Sequence, residues 1–242
     1  MRILITAGGT SENIDSVRKI TNSSSGRLGA VIAEQMLQNG HDIVYVHGKK
    51  AILPTGCYER YAITGVRELQ NVMKDILTTQ KIDVVIHAMA VSDYYVDYVT
   101  TPALAAMGIT LEEYTNTDDI LDNILRGAYR LDNSTKLSSD EESLMVILKK
   151  SPKVIQKIKK WASDVTLIGF KLLTNVTYND LETAARKQIK TCKSDLVITN
   201  DLQYIDKNRH CAWFIGPNGL VDYAGTKEDI AKRLCIYLEK EV

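Results

Sequence analysis

Apolar positions along the chain follow two rhythms. Short apolar runs, "RILIT", "HDIVYVHG", "CYERYAI", "DVVIHAMAV", "SLMVILKK", "VTLIGFKL", "DLVITN" and "AWFIG", read as strands. Between them apolar residues recur every three or four positions. That spacing predicts a helix from Arg27 to Asn39 ending at Gly40, and another over "GVRELQNVMKDILTTQ" capped by Thr64. It also predicts helices over "PKVIQKIKKWA", with Pro152 in the first turn, over "NDLETAARKQIKTC", and from Lys227 onward. Strands alternating with helices of this length predict an α/β fold. The expected architecture is a Rossmann-like three-layer sandwich with a mostly parallel sheet.

Ligands of such sheets sit beyond the carboxyl ends of the strands. The segments in that place, "AGGTSENID", "AMAVSDY", "GFKLLTN" and "TNDL", carry Gly, Asn, Asp, Lys and Thr, residue types that bind phosphate, ribose and carboxylate. The first is unusual. From Gly8 to Ser25 about 18 residues separate strand from helix, where such links usually take two to six. Gly8 and Gly9 allow close backbone approach to a ligand. Ser23, Ser24, Ser25 and Gly26 stand at a helix start, which favours an anion, and Ser24 or Ser25 is expected to cap that helix. Residues 94–143 break the alternation and read as a flap or arm inserted into one domain spanning 1–242. Tyr94, Tyr95 and Tyr98 alternate as in an arm strand, a candidate for pairing with a second subunit.

Composition narrows the function. Thirty basic and thirty acidic residues balance, which argues against a nucleic-acid partner needing a broadly basic face. The apolar runs are too short to span a membrane. Cys57, Cys192, Cys211 and Cys235 form no C-x-x-C pair and read as reduced packing residues of a cytoplasmic protein. Neither a G-x-G-x-x-G fingerprint nor a Walker A sequence is present.

The stretch "ITAGGTSENIDSVRKITNSSSGRLG" resembles the signature of the phosphopantothenate–cysteine ligase family, also called phosphopantothenoylcysteine synthetases. Gly8, Gly9, Thr10, Glu12, Ile14, Asp15, Val17, Arg18, Ile20, Thr21, Asn22, Ser24, Ser25, Gly26 and Gly29 carry the match. It continues in "AMAVSDY", "TKLSS", "LKKSPKVI", "IGFKLLTN" and "DLVITND". The resemblance implies a homodimeric ligase of coenzyme A biosynthesis. A nucleoside triphosphate activates the carboxylate of 4'-phosphopantothenate, Mg²⁺ assists, and the amine of L-cysteine attacks the acyl-nucleotide. CTP is the expected nucleotide, with ATP the alternative. Lys171 in "GFKLLT" resembles the eukaryotic "FKLET" but lacks its Glu. The chain opens directly on the ligase strand, as in the stand-alone bacterial type.

By the same resemblance, Asn22 holds the carboxyl end and the acyl intermediate, and Lys136 in the flap reaches the triphosphate. Ser24, Ser25, Gly26 and Arg18 bind substrate. Gly8, Gly9, Met89, Ala90, Asp93, Pro152, Lys153, Val154, Ile155, Phe170 and Lys171 face the nucleotide, joined by Lys187 and Lys190, three apart on one helix face. From residue type alone, Lys136 reads by default as a solvated charge, Lys187 and Lys190 read equally as solvated charges, and Phe170 reads as core. Two other functions fit the pattern of elements: a Rossmann-like dinucleotide-binding reductase and a non-catalytic phosphate-binding module.

Overall fold

The computed structural model describes residues 1–107, 117–127 and 129–241. In chain order the strands are β1 (Arg2–Ala7), β2 (Ser11–Asn13), β3 (Lys19–Thr21), β4 (Asp42–Gly48), β5 (Glu59–Ile63), β6 (Val84–His87), β7 (Tyr94–Thr100), β8 (Met145–Lys150), β9 (Thr166–Leu173), β10 (Leu196–Asp201), β11 (Ala212–Gly216) and β12 (Gly219–Ala224). The helices are α1 (Arg27–Gln38), α2 (Val66–Thr79), α3 (Pro102–Met107), α4 (Thr117–Arg126), α5 (Ile155–Trp161), α6 (Tyr178–Cys192) and α7 (Lys227–Glu241). They form two compact units: Met1–Thr10 with Asn22–Val91 and Lys153–Val242, and Ser11–Thr21 with Ser92–Pro152.

The first unit is a Rossmann-like sandwich. Its sheet runs β12-β11-β10-β9-β6-β1-β4-β5, parallel from β5 to β10, with β11 and β12 antiparallel at the edge. The period-two alternation of strands divides the core. Ile3, Ile5 and Ala7 pack with Ile43 and Tyr45 under α1 and α7. Leu4, Val44, Val46 and Val85 pack on the opposite face under α2 and α5, and α6 covers Val197 and Ile215. Both faces are covered, so the central strands are near-continuously apolar.

Local signals held at most elements. Gly40, at φ 78°, follows the end of α1. Thr64 does not cap α2: Gly65 takes that position without a side-chain bond, and the Glu68 carboxylate accepts from the Thr64 amide at 2.7 Å. The helix is thus tied from its first turn backwards. At α6 the Thr177 hydroxyl and the Asp180 carboxylate form a reciprocal capping box. Strand β12 was not anticipated, although Asn218-Gly219 is a hairpin signal.

The second unit corrects two readings. The long link after β1 is a hairpin rather than an open loop: β2 and β3 pair antiparallel from Ser11↔Thr21 to Asn13↔Lys19. "SLMVILKK" becomes β8, which leaves the central sheet and pairs antiparallel with β7. No residue of β8 is fully buried, unlike the central strands, although Val99 and Thr100 of its partner β7 are buried. The helical pattern "TDDILDNILRGAY" is realised as α4, and residues 108–116 and 128 lie outside the described residues.

The hairpin is built around Asp15. This carboxylate is 1% exposed and accepts from the amides of Val17 at 2.8 Å, Arg18 at 2.7 Å and Leu137 at 3.2 Å. The Arg18 guanidinium donates to the Leu137 carbonyl at 2.9 Å, and Asn133 donates to the Ile14 carbonyl at 3.0 Å. The backbone of Leu137 is therefore held at both its N–H and its C=O by the "IDSVR" turn.

Candidate active site

In the first unit the chain passes from β1 to β4 and β5 on one side, then returns to β6 on the other. The strand order reverses between β1 and β6, where α/β sheets bind ligands. The turns leaving these two strands are stitched together. Ala90 N–H donates to Gly8 O at 2.8 Å, and Thr10 N–H to Ala90 O at 3.1 Å. Asn22 closes the clasp: its amide N–H reaches Thr10 O, and its side-chain Nδ2 reaches Ala90 O, both at 3.2 Å.

The clasp depends on glycine at two places. A Cβ on Gly9 would lie 2.3 Å from the Asn22 carbonyl oxygen. Gly26, at φ 74°, lets the chain turn into α1 directly against Gly8. Gly26, rather than a serine, occupies the N-cap, and no side chain caps α1 there. Ser25 Oγ accepts from the Arg27 amide at 3.4 Å, a weak contact. Amides of the first turn therefore remain available to an anion, with Ser24 and Ser25 beside them.

Behind the clasp lie polar residues that the sequence reading passed over. Thr6, fully buried in β1, holds its Oγ1 2.9 Å from Nδ1 of His87, the last residue of β6. The Met89 amide donates to the same hydroxyl at 3.3 Å. Burial pushes the His87 imidazole down to about 4. The available signal was a Thr and a His inside otherwise apolar strands. On β9, Gly169 pairs with His87 in register, and the tip of Gln188 from α6 fills the space a side chain at Gly169 would take. Gln188 Nε2 is buried without a partner among the described residues.

The structure distributes the anticipated residues unevenly. Gly8, Gly9, Asn22, Ser24, Ser25, Gly26, Met89 and Ala90 gather at the β1/β6 switch of the first unit. The Val154 side chain is buried in the α2/α5 core, and that of Ile155 packs half-buried against it. Phe170 packs against the α1/α7 core. Lys153, Lys171, Lys187 and Lys190 are exposed, and of the last helix pair's neighbours it is Gln188 that faces the sheet. Arg18, Asp93, Lys136 and Pro152 belong to the second unit. There Arg18 is engaged with Asp15 and Leu137, and Lys136 is exposed beside the anchored Leu137.

Comparison with known proteins places this geometry in a family. The family model described as "DNA/pantothenate metabolism flavoprotein C-terminal domain" matches residues 1–132 and 128–241. The coenzyme A biosynthesis bifunctional protein CoaBC of Thermococcus kodakarensis is 31% identical over 244 residues, covering 99% of this chain and 51% of that protein. The protein of the same name from Methanocaldococcus jannaschii is 27% identical, covering 100% of this chain and 51% of its own length. The chain thus spans about half the length of the curated relatives it matches. The crystal structure of the DNA/pantothenate metabolism flavoprotein from Streptococcus pneumoniae superposes with a TM-score of 0.84 at 36% identity, covering 100% of both chains. A mutant of Cab2 in complex with phosphopantothenate-cysteine shares the fold, with a TM-score of 0.67 at 20% identity over 99% of this chain and 86% of that one. The chain belongs to the DNA/pantothenate metabolism flavoprotein C-terminal domain family.

Proposed function

We propose that the chain is a ligase of coenzyme A biosynthesis that joins 4'-phosphopantothenate to L-cysteine through an acyl-nucleotide, with CTP as the nucleotide and ATP as the alternative. The observation that carries this reading is the Asn22 clasp beside the uncapped start of α1. It sets an amide, a glycine turn and a helix N-terminus at one switch point, the parts needed to hold a molecule with a carboxylate at one end and a phosphate at the other.

In the first step a carboxylate oxygen attacks the α-phosphorus of the nucleotide and pyrophosphate leaves. In the second the cysteine amine attacks the acyl carbon, the nucleotide monophosphate leaves and the amine sheds a proton. The nucleotide supplies the leaving group, so no Ser or Cys nucleophile is required. The chain positions the reactants and stabilises charge. The α1 start with Ser24 and Ser25 takes the phosphate, and Asn22 orients the carboxyl end. Lys136, Lys153, Lys171, Lys187 and Lys190 are the cations we assign to the triphosphate. Among the described residues no three His, Cys, Asp or Glu side chains gather where they could hold a metal. Mg²⁺ fits best as a partner of the triphosphate, since it commonly binds through substrate phosphates and water. A homodimer and a cytoplasmic location complete the proposal, and no helix among the described residues is long and apolar enough to cross a membrane.

The test is pyrophosphate release that requires 4'-phosphopantothenate together with CTP or ATP, and product formation that requires cysteine. Asn22→Asp should lose activity, since a like charge then faces the carboxylate. Absence of pyrophosphate release with either nucleotide, or full activity of the variant, would count against the reading.

A further inference from the structure

His87 stands at the switch point and has no part in the chemistry above. Its surroundings fix which nitrogen carries the proton. The Thr6 hydroxyl receives the Met89 N–H at 3.3 Å and lies 2.9 Å from His87 Nδ1. Thr6 is fully buried, so its own hydroxyl proton needs an acceptor, and Nδ1 is the one within reach. Nδ1 is therefore the unprotonated nitrogen and Nε2 carries the hydrogen. Burial keeps the ring neutral near pH 7. Among the described residues nothing is hydrogen-bonded to Nε2, and His87 is not wholly sealed, at 6% exposed. Nε2 is a donor on the last residue of β6, three residues before the Ala90 carbonyl that holds Asn22.

We propose that His87 is a further ligand-binding residue of this site, a neutral imidazole that donates its Nε2–H to a carboxylate or phosphate oxygen of the bound reactants. Thr6 is a positioning residue that selects the tautomer. A neutral donor suits this place. It stabilises developing negative charge on oxygen without removing the amine's proton, and it adds no fixed charge to a buried strand end. The chemical identity of the oxygen rests on the ligase reading, and the donor itself does not.

Two near-isosteric substitutions separate the roles. In His87→Gln the side-chain NH₂ falls near the former Nε2 and keeps the outward donor. In His87→Asn the side-chain oxygen falls near the former Nδ1, keeps the Thr6 bond and loses that donor. Steady-state kcat on the full chain should fall about 100- to 1,000-fold for Asn, the range for losing one donor to an oxyanion, and stay within about threefold for Gln. Calorimetric titration of the Asn variant with 4'-phosphopantothenate alone and with CTP alone tells which reactant supplies the oxygen, by which affinity falls. The reverse ranking, or equal rates in both variants and the wild type, would overturn the proposal and leave His87 a structural partner of Thr6. A fold-independent check uses the wild type labelled with ¹⁵N-histidine, its signals assigned by His87→Gln. His87 should show a protonated Nε2 that shifts when a reactant is added. A protonated Nδ1, or an Nε2 indifferent to both reactants, would refute the assignment. A wild type that releases no pyrophosphate sinks the ligase reading, whereas an active wild type with the wrong ranking sinks only this one.

Discussion

The buried histidines should make the first unit lose stability in mild acid, before any carboxylate contributes. His87 and His210 are both held down at about 4 by burial, His210 also by the charge of Lys227. Their ordinary value is 6.5. Each folded-state value lies below the unfolded one, so as pH falls the unfolded chain takes up the proton first. Stability is complete well above pH 6.5 and is lost as pH falls toward 4. With about 1.4 kcal/mol per pH unit for each unmatched proton, and partial protonation at the start of the range, each histidine removes about 2 kcal/mol between pH 6.5 and 4.5. Together that is a large fraction of the roughly 5–15 kcal/mol that holds an ordinary domain folded. His41, also lowered by burial, adds to the same trend. Asp15, Asp201, Asp206 and Asp222 are lowered below the usual carboxylate range and act only at more acidic pH. Urea unfolding of the wild type and of His87→Gln, at intervals from pH 7.5 to 4.5, reads the effect directly. The variant should be less sensitive to acid by about 2 kcal/mol over the lower two units. Parallel curves for the two proteins would mean that His87 titrates alike in both states, and that its buried neutral form is wrong.

Gly9→Ala drives a Cβ to within 2.3 Å of the Asn22 carbonyl, a backbone atom that cannot rotate away. It should cost about 1–3 kcal/mol in urea unfolding and shift the Asn22 amide resonance, and an unchanged midpoint would contradict the close-approach argument. Asp15→Asn keeps the shape but leaves one acceptor oxygen where the carboxylate has two, Oδ1 for Val17 and Arg18 and Oδ2 for Leu137, so the NH₂ must face one of these sides and the amides there should exchange hydrogen faster. Unaltered exchange would show that the hairpin is held by something else. Under the proposed ligase function, Lys171→Ala should weaken nucleotide binding without changing which nucleotide the wild type prefers, because an ammonium at this exposed position acts on phosphate charge rather than on the base. A variant that switches its preferred nucleotide would refute that placement.

How much of this protein its sequence fixed depends on the range over which each signal acts. The parallel order of alternating strands and helices, the Gly40 stop and the glycines of the first turn were legible, because period and backbone freedom are properties of neighbouring residues. The family signature likewise singles out Asn22, Ser24 and Ser25 as candidates from local sequence alone. Partner choice was not legible. Met145–Lys150 has a strand's composition wherever it pairs, and only the fold set it against β7 rather than in the central sheet. The polar stretch after Gly9 carried no apolar alternation, so its hairpin was invisible until Asp15 and Leu137, 122 residues apart, came within hydrogen-bond distance. The same limit hid Thr6 and His87, 81 residues apart, since each alone is an ordinary polar residue in a strand. Their meaning lies in the β1/β6 register, which aligns them at one level of the sheet and buries both. Local sequence determines which elements form. Contacts between residues distant in the chain decide which polar groups share one buried point, and those contacts exist only once the sheet is assembled.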